Sequence, residues 1–137
     1  MFNKVLVPVD GSEASMKAVE TARKLVEKGS AREVSLLHVV QAGDVVAVNA
    51  LELYDDPTIV AKQVLEKARK VMGPQTPAAV LLEAGLPADI ICRIARKDDY
   101  DLIVIGNRGL NRIKRVLLGS ISSKVVAAAH CPVLVVK

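Results

Sequence analysis

The sequence predicts an α/β fold, a single-domain doubly wound sheet of five parallel strands with helices on both faces. Short apolar runs alternate along the chain with segments of helical period, which is the pattern of βαβ units. With one Phe, two Tyr and no Trp the apolar residues are almost all aliphatic, as in strands buried on both faces. A chain of 137 residues with 51% hydrophobic content can form one substantial core.

Strands and helices are predicted in alternation. The strands are Lys4–Val9, Glu33–Val40, Ala78–Ala84, Asp101–Ile105 and Val133–Val136; the helices run from Ser12 to about Lys28, from Pro57 to Gly73, over a short stretch after Pro87, and from Ser120 to about Ala129. Ser12 is an N-cap residue, and the negative charge of Glu13 suits the first turn of a helix. Pro57 likewise suits a first turn, and Pro132 follows the end of the last helix.

Apolar residues recur at helical spacing in the first three helices. The residues predicted to face inward are Ala18, Val19, Ala22, Leu25 and Val26 in the first, Val60, Val64, Ala68 and Val71 in the second, and Ile90, Ile91, Ile94 and Ala95 in the third. Residues 41–56 are left open, because the apolar patch Val45–Leu53 fits either a short helix or a flap over a cleft.

The N-terminus leads straight into a strand, without the basic segment and apolar stretch of a signal peptide, and no apolar run approaches the roughly 20 residues of a membrane span. We therefore expect a cytoplasmic protein. Cys92 and Cys131 form no C-x-x-C pattern, so they are predicted to be buried structural thiols. The net charge of +4 is a mild excess, and with three aromatic residues nucleic-acid binding is weakly supported.

The most informative stretch follows the fourth strand. Its apolar run ends in Gly106, Gly109 comes three residues later, and Gly119-Ser120 opens the last helix. Amide groups at a helix start carry a partial positive charge, so a strand, a glycine loop and a helix start together outline a phosphate site. The cations of the intervening loop are Arg108, Arg112, Lys114 and Arg115.

The spacing of these glycines, G-x2-G-x9-G-S, excludes two better-known phosphate motifs. It is neither the P-loop G-x4-G-K-[ST] nor the dinucleotide turn G-x-G-x-x-G. No lysine is therefore placed for a β- or γ-phosphate, and efficient hydrolysis is disfavoured. His38 and His130 are far apart in the sequence without a carboxylate cluster, so neither a zinc site nor a Ser-His-Asp triad is indicated, and no catalytic residue is predicted.

Asp10, at the end of the first strand, has several possible roles. It could be a phosphate acceptor, a metal ligand, a contact to a base or ribose, or only a turn residue. A carboxylate facing a triphosphate directly would be repelled, which favours the base, the ribose or an intervening Mg²⁺. A receiver domain would place its acceptor aspartate after the third strand, which here ends at Glu83-Ala84-Gly85, so that interpretation is disfavoured.

Four segments together resemble the universal stress protein family: Pro8-Val9-Asp10-Gly11-Ser12, Leu37-His38-Val39, the glycine pattern, and the closing Cys131–Val136. The resemblance covers essentially the whole chain, and it implies one nucleotide-binding domain over residues 1–137. It also implies the strand order 3-2-1-4-5, which places Asp10 in one cleft with Gly106 and Gly109. Family members with the complete glycine pattern look like ATP binders.

The resemblance implies a set of binding residues. Pro8, Val9, Asp10 and Val39 would border the adenine and ribose, and Gly106, Asn107, Arg108, Gly109, Gly119, Ser120, Ile121 and Ser122 would hold the phosphates and ribose. Backbone amides supply most of these contacts, so the residue types at positions 107 and 121 matter little. The expected ligand is ATP or another adenine nucleotide, with the requirement for Mg²⁺ left open.

The favoured function is a cytoplasmic ATP-binding module for regulation or stress adaptation, as the resemblance implies. One alternative is a slow ATPase or nucleotide-dependent transferase that uses Mg-ATP, and another is a structural dimer with an empty cleft. In the implied strand order, Val133–Val136 is an edge strand with no charge before Lys137. Such an edge favours pairing with a second copy, so we expect a homodimer joined through strand five.

Overall fold

Strands and helices alternate throughout the described part of the chain. The computed structural model describes residues 1–41, 56–110 and 118–137. The strands are β1 (Phe2–Pro8), β2 (Ala31–Val40), β3 (Ala79–Ala84), β4 (Leu102–Gly106) and β5 (Val133–Val136); the helices are α1 (Glu13–Glu27), α2 (Pro57–Met72), α3 (Pro87–Lys97) and α4 (Ser120–Ala128). The Val45–Leu53 patch, Arg112, Lys114 and Arg115 lie outside the described residues. No described helix combines the length and apolar character needed to cross a bilayer.

All five strands are parallel and form one sheet in the order β3-β2-β1-β4-β5. The predicted α/β fold and its strand order are therefore confirmed. The winding reverses beside β1, whose Leu6 is paired with Ser35 of β2 on one side and Ile103 of β4 on the other. In such sheets, ligands bind beyond the carboxyl ends of the strands at this reversal.

Two aliphatic layers cover the sheet, one on each face. Successive side chains of β1 point alternately into one layer and the other. Val5 and Val7 point to the face covered by α1 and α2, whereas Leu6 points to the face covered by α3 and α4. All three side chains are completely buried. Because successive side chains of a strand alternate between faces, an uninterrupted apolar run is the expected sequence of a strand covered on both sides.

Two details differ from the sequence prediction. The pairing of Phe2 with Ala31 extends both β1 and β2 towards their N-termini. In α2 the fully buried residues are Ala61, Leu65, Ala68 and Met72, and Val60 of the predicted inward face is 38% exposed. Of the other residues of that predicted face, Ala68 is buried and Val64 and Val71 pack partly buried against the same core. The helix packs against α1 as well as β2, which widens its buried face.

Asp101 joins β1 to β4 at the amino edge of the sheet. Its carboxylate accepts backbone hydrogen bonds from Asn3 at 2.8 Å and Lys4 at 2.9 Å. Burial acts to raise the pKa of Asp101. The backbone amides of Asn3, Lys4 and Asp101 itself, together with the N-terminal ammonium, lower it, and the net pKa lies below its ordinary value.

We expect Asp101→Asn to lower the free energy of unfolding by about 1 kcal/mol at neutral pH, since the carboxylate is partly solvated and its hydrogen bonds are correspondingly weakened. A carboxyl whose pKa is depressed by folding stabilises the protein above its unfolded pKa and loses that contribution as pH falls through the folded value. Urea titrations should therefore show a difference at pH 7 that shrinks below about pH 4. A difference that is constant with pH would contradict this role.

Candidate functional site

A cleft of about 340 Å³ opens beyond the carboxyl ends of β1, β2 and β4. This volume lies within the usual range for small-molecule pockets, and the location is the one expected at the reversal of winding. Except for Asn107, all the predicted binding residues line it: Pro8, Val9, Asp10, Val39, Gly106, Arg108, Gly109, Gly119, Ser120, Ile121 and Ser122. Residues from β1, β2, β4 and α4 are thus brought together although they lie far apart in the sequence.

Asp10 forms the turn that follows β1. Its Oδ1 accepts a hydrogen bond from the backbone amide of Ser12 at 2.9 Å, and Gly11 between them adopts a left-handed φ of 88°. Its Oδ2 faces Gly109, where a Cβ would lie only 2.8 Å from that oxygen. Asp10 is therefore a turn residue whose second carboxylate oxygen lies against the glycine loop.

The glycines of the pattern are required for close packing. Neither Gly106 nor Gly109 has a positive φ, and Gly119 has φ of −71°. A Cβ at Gly106 would lie 2.7 Å from the backbone carbonyl carbon of Ala14, and one at Gly119 would lie 3.3 Å from the Cα of Arg108. These glycines are therefore not required for a left-handed φ; they allow the start of α1 and the loop backbone to approach closely.

Asn107 does not line the cleft but connects three parts of the fold through its backbone. Its amide donates to the carbonyl of Val136 at the end of β5, at 2.8 Å. Its carbonyl accepts from the amide of Gly119 at 2.6 Å and from the Oγ of Ser122 at 2.9 Å. The residue is 8% exposed, so its observed role is to anchor the start of α4 to β4 and β5.

The N-terminus of α4 opens into the cleft. Its N-cap is Gly119, which has no side chain to accept hydrogen bonds from the first amides, and Ser120 is exposed. In contrast, the side chains of Ser12 and Asp56 cap α1 and α2. The first amides of a helix have no partner within the helix and carry a partial positive charge, so this end is suited to an anion.

The cleft also includes residues that the sequence analysis did not assign to it: Ser15, Leu37, His38, Gln41, Pro87, Ile91, Ile105 and Leu110. The signal that could have identified some of them is position, because His38 precedes Val39 at the carboxyl end of β2, and Pro87 follows β3. Within the described ranges, no group of three or more His, Cys, Asp or Glu side chains could hold a metal ion.

The two cysteines lie away from this cleft lining, partly buried against the layer formed with α3 and α4. Burial raises the pKa of Cys92, and the negative charge of Asp89 adds to the effect. Burial likewise raises the pKa of Cys131, with a further contribution from Asp101. A raised pKa makes each thiol harder to ionise than an ordinary cysteine, and both are half-buried rather than buried as the sequence predicted.

A model of the universal stress protein family matches residues 1–137. The chain belongs to the universal stress protein family. Universal stress protein YxiE of Bacillus subtilis is 35% identical over 150 residues, with both chains fully covered.

Solved universal stress proteins have the same fold. The structure of MJ0577, a universal stress protein of Methanocaldococcus jannaschii, has a TM-score of 0.82 and 32% identity, covering 100% of this chain and 96% of that chain. A universal stress protein solved in complex with cAMP has a TM-score of 0.69 and 25% identity, covering 99% of this chain and 97% of that chain. A member of the universal stress protein family with this fold therefore binds an adenine nucleotide.

Proposed function

We propose that this chain is a cytoplasmic ATP-binding protein that acts as a nucleotide-dependent regulatory or stress-adaptation module. The observation that carries the proposal is the start of α4, where Gly119 leaves the first helical amides without a side-chain cap at the wall of the cleft. An anion such as a phosphate is the group that such a helix end binds best. Arg108, which also lines the cleft, adds a positive charge.

A second group of cleft residues suits the base and ribose. Pro8, Val9 and Val39 supply an apolar wall, and Asp10 supplies a carboxylate oxygen that can accept hydrogen bonds from ribose hydroxyl groups. The relative bound to cAMP supports an adenine nucleotide as the class of ligand.

The direct test is calorimetric titration of the nucleotide-free protein with ATP, ADP, AMP and GTP, with and without Mg²⁺. We expect saturable binding of adenine nucleotides and weaker binding of GTP.

An absorbance spectrum of the purified protein is a second test. Because the chain has two tyrosines and no tryptophan, its own ultraviolet absorbance is weak, and a co-purifying nucleotide would be readily detected. Failure of every adenine nucleotide to bind would overturn the proposal, and multiple turnover of ATP would favour the enzymatic alternative.

We expect Asp10→Asn to weaken ATP binding by about tenfold while leaving the affinity for free tripolyphosphate nearly unchanged, because a ribose contact to the carboxylate contributes on the order of 1–2 kcal/mol. Asparagine retains the oxygen that accepts from Ser12, so the turn is preserved. Asp10→Ala removes that acceptor as well and serves as the comparison for turn stability. Equal losses for both ligands, or a loss seen only with Mg²⁺, would indicate a metal-binding role.

We also propose that two copies of the chain associate through β5. This strand lies at one edge of the sheet, its Leu134 is 39% exposed, and Val126 on the adjacent α4 is 46% exposed. The carbonyls of Pro132 and Val136 accept hydrogen bonds from Ile103 of β4 and from Asn107, which follows β4, so by alternation the amide of Val135 points to the outer edge. Pairing of this edge with the same edge of a second copy would be self-complementary.

Val135→Pro is expected to shift the protein from dimer to monomer, because proline removes a donor from the outer edge without removing one directed at β4. Light scattering over a concentration series provides the measurement. Leu134→Pro is the matched comparison, since it removes an inward donor and should destabilise the sheet itself. A wild-type chain that stays monomeric at high concentration would contradict the dimer, and an intact Val135→Pro dimer would place the interface elsewhere.

A further inference from the structure

The His38 ring lies where β1 separates from β2. The last paired residues of the two strands are Pro8 and Leu37, and the amide of Val9 still donates to the carbonyl of Leu37 at 2.8 Å. Beyond that point, Nδ1 of His38 lies 2.8 Å from the carbonyl oxygen of Val9. A carbonyl oxygen only accepts hydrogen bonds, so Nδ1 carries the proton and donates it.

This side-chain hydrogen bond replaces a backbone hydrogen bond between β1 and β2. In a parallel pair that continued in register, the amide of Val39 would be the next donor to the carbonyl of Val9. The side chain of His38 reaches that carbonyl instead. The carbonyl of Val9 is therefore held by the side chain of His38, whereas its amide is held by the backbone of β2. Val9, His38 and Val39 all line the cleft at this point.

We propose that His38 is the positioning residue of the base-binding end of the cleft. By holding the Val9 carbonyl, its ring fixes the segment Val9-Asp10 relative to Val39, and so sets the cleft surface against which a nucleobase would lie. This inference rests on the proposed nucleotide-binding function and deepens it. His38 acts through Val9, so its substitution should affect binding of the base and ribose. The phosphates would bind at the start of α4, to which His38 makes no described hydrogen bond.

Two substitutions separate the donor from the bulk of the ring. In His38→Asn, the side-chain amide nitrogen is the same number of bonds from Cα as Nδ1, so the donor to Val9 is retained. In His38→Leu, a branched side chain of similar reach has no donor, and the half-buried carbonyl loses its partner. His38→Gln provides a second test, because it keeps a donor but moves it one bond further out.

The experiment is calorimetric titration of wild type and the three variants with adenosine, ATP and tripolyphosphate, after unfolding curves have shown that each is folded. His38→Leu and His38→Gln should bind adenosine and ATP about tenfold more weakly, the loss expected from one hydrogen bond and an unpaired carbonyl. Tripolyphosphate affinity should stay within about twofold of wild type. His38→Asn should restore the affinity for adenosine to within about threefold.

The outcomes distinguish this inference from the function on which it rests. Wild-type protein that binds none of the three ligands overturns the proposed function, and this inference with it. Wild-type protein that binds adenosine while folded His38→Gln or His38→Leu binds it equally well overturns the inference alone. So does a folded His38→Asn that is as weak as His38→Leu, and so does an equal loss for adenosine and tripolyphosphate.

Discussion

Replacing Gly106 with alanine is expected to lower the free energy of unfolding by about 3 kcal/mol, the upper end of the usual cost of overpacking a core. The new Cβ would lie 2.7 Å from the carbonyl carbon of Ala14 and 2.9 Å from its Cβ. The obstruction is backbone of α1 and cannot move aside like the end of a flexible side chain. Either α1 shifts away from β4 or the strand distorts, and both loosen the buried layer to which Val104 of β4 and Ala18 of α1 belong.

Gly29→Ala is the control for this substitution. Gly29 has φ of 74°, but nothing lies within 4 Å of the position of its Cβ, so only backbone strain of about 1 kcal/mol is expected. Both variants can be compared by urea denaturation and thermal melting. If Gly106→Ala is no less stable than Gly29→Ala, the close approach of α1 to β4 is not what requires glycine at this position.

Replacing Gly119 with valine is expected to weaken ATP binding by about 100-fold, which corresponds to the loss of roughly two charge-assisted hydrogen bonds. A Cβ at this position already lies 3.3 Å from the Cα of Arg108 and 3.6 Å from the carbonyl oxygen of Asn107. The additional methyl groups of valine would displace the loop or cover the first amides of α4. In either case a phosphate could no longer approach the start of the helix.

Ser123→Val is the matched control, because it introduces the same side chain at an exposed position of the same helix that does not line the cleft. Titration with ATP should give wild-type affinity for this control and little or no heat for Gly119→Val. Circular dichroism would verify that both are folded. Unchanged ATP affinity in a folded Gly119→Val protein would remove the start of α4 from the binding site.

The sequence predicted the elements well because their signals are local. Caps such as Ser12 and proline at the start of α2 mark helix ends, and uninterrupted aliphatic runs mark strands covered on both faces. The strand order followed from the resemblance to a family, since periodicity does not specify which strands are neighbours. Most of the cleft lining was named through the same resemblance, residue by residue. These residues meet because parallel strands bring their carboxyl ends to one edge of the sheet.

What the sequence did not predict depends on contacts between distant segments. The need for glycine at position 106 arises from the approach of Ala14, more than 90 residues away in the chain. The anchoring role of Asn107 depends on where the last residue of β5 lies, and the role of His38 depends on where β1 turns away. The exposure of Val60 in α2 was missed for the same reason, since the contact of this helix with α1 has no signature in its own sequence.

The central position of β1 has a consequence for the order in which the chain folds. β1 is made first and can pair with β2 early, but its bond to the β4 side joins Lys4 to Asp101, 97 positions apart. Closing so long a loop is costly in chain entropy and slow, so one edge of β1 stays unpaired while most of the protein is still being synthesised. That aliphatic edge is the surface that a chaperone, or a neighbouring nascent chain, would meet before the sheet is complete.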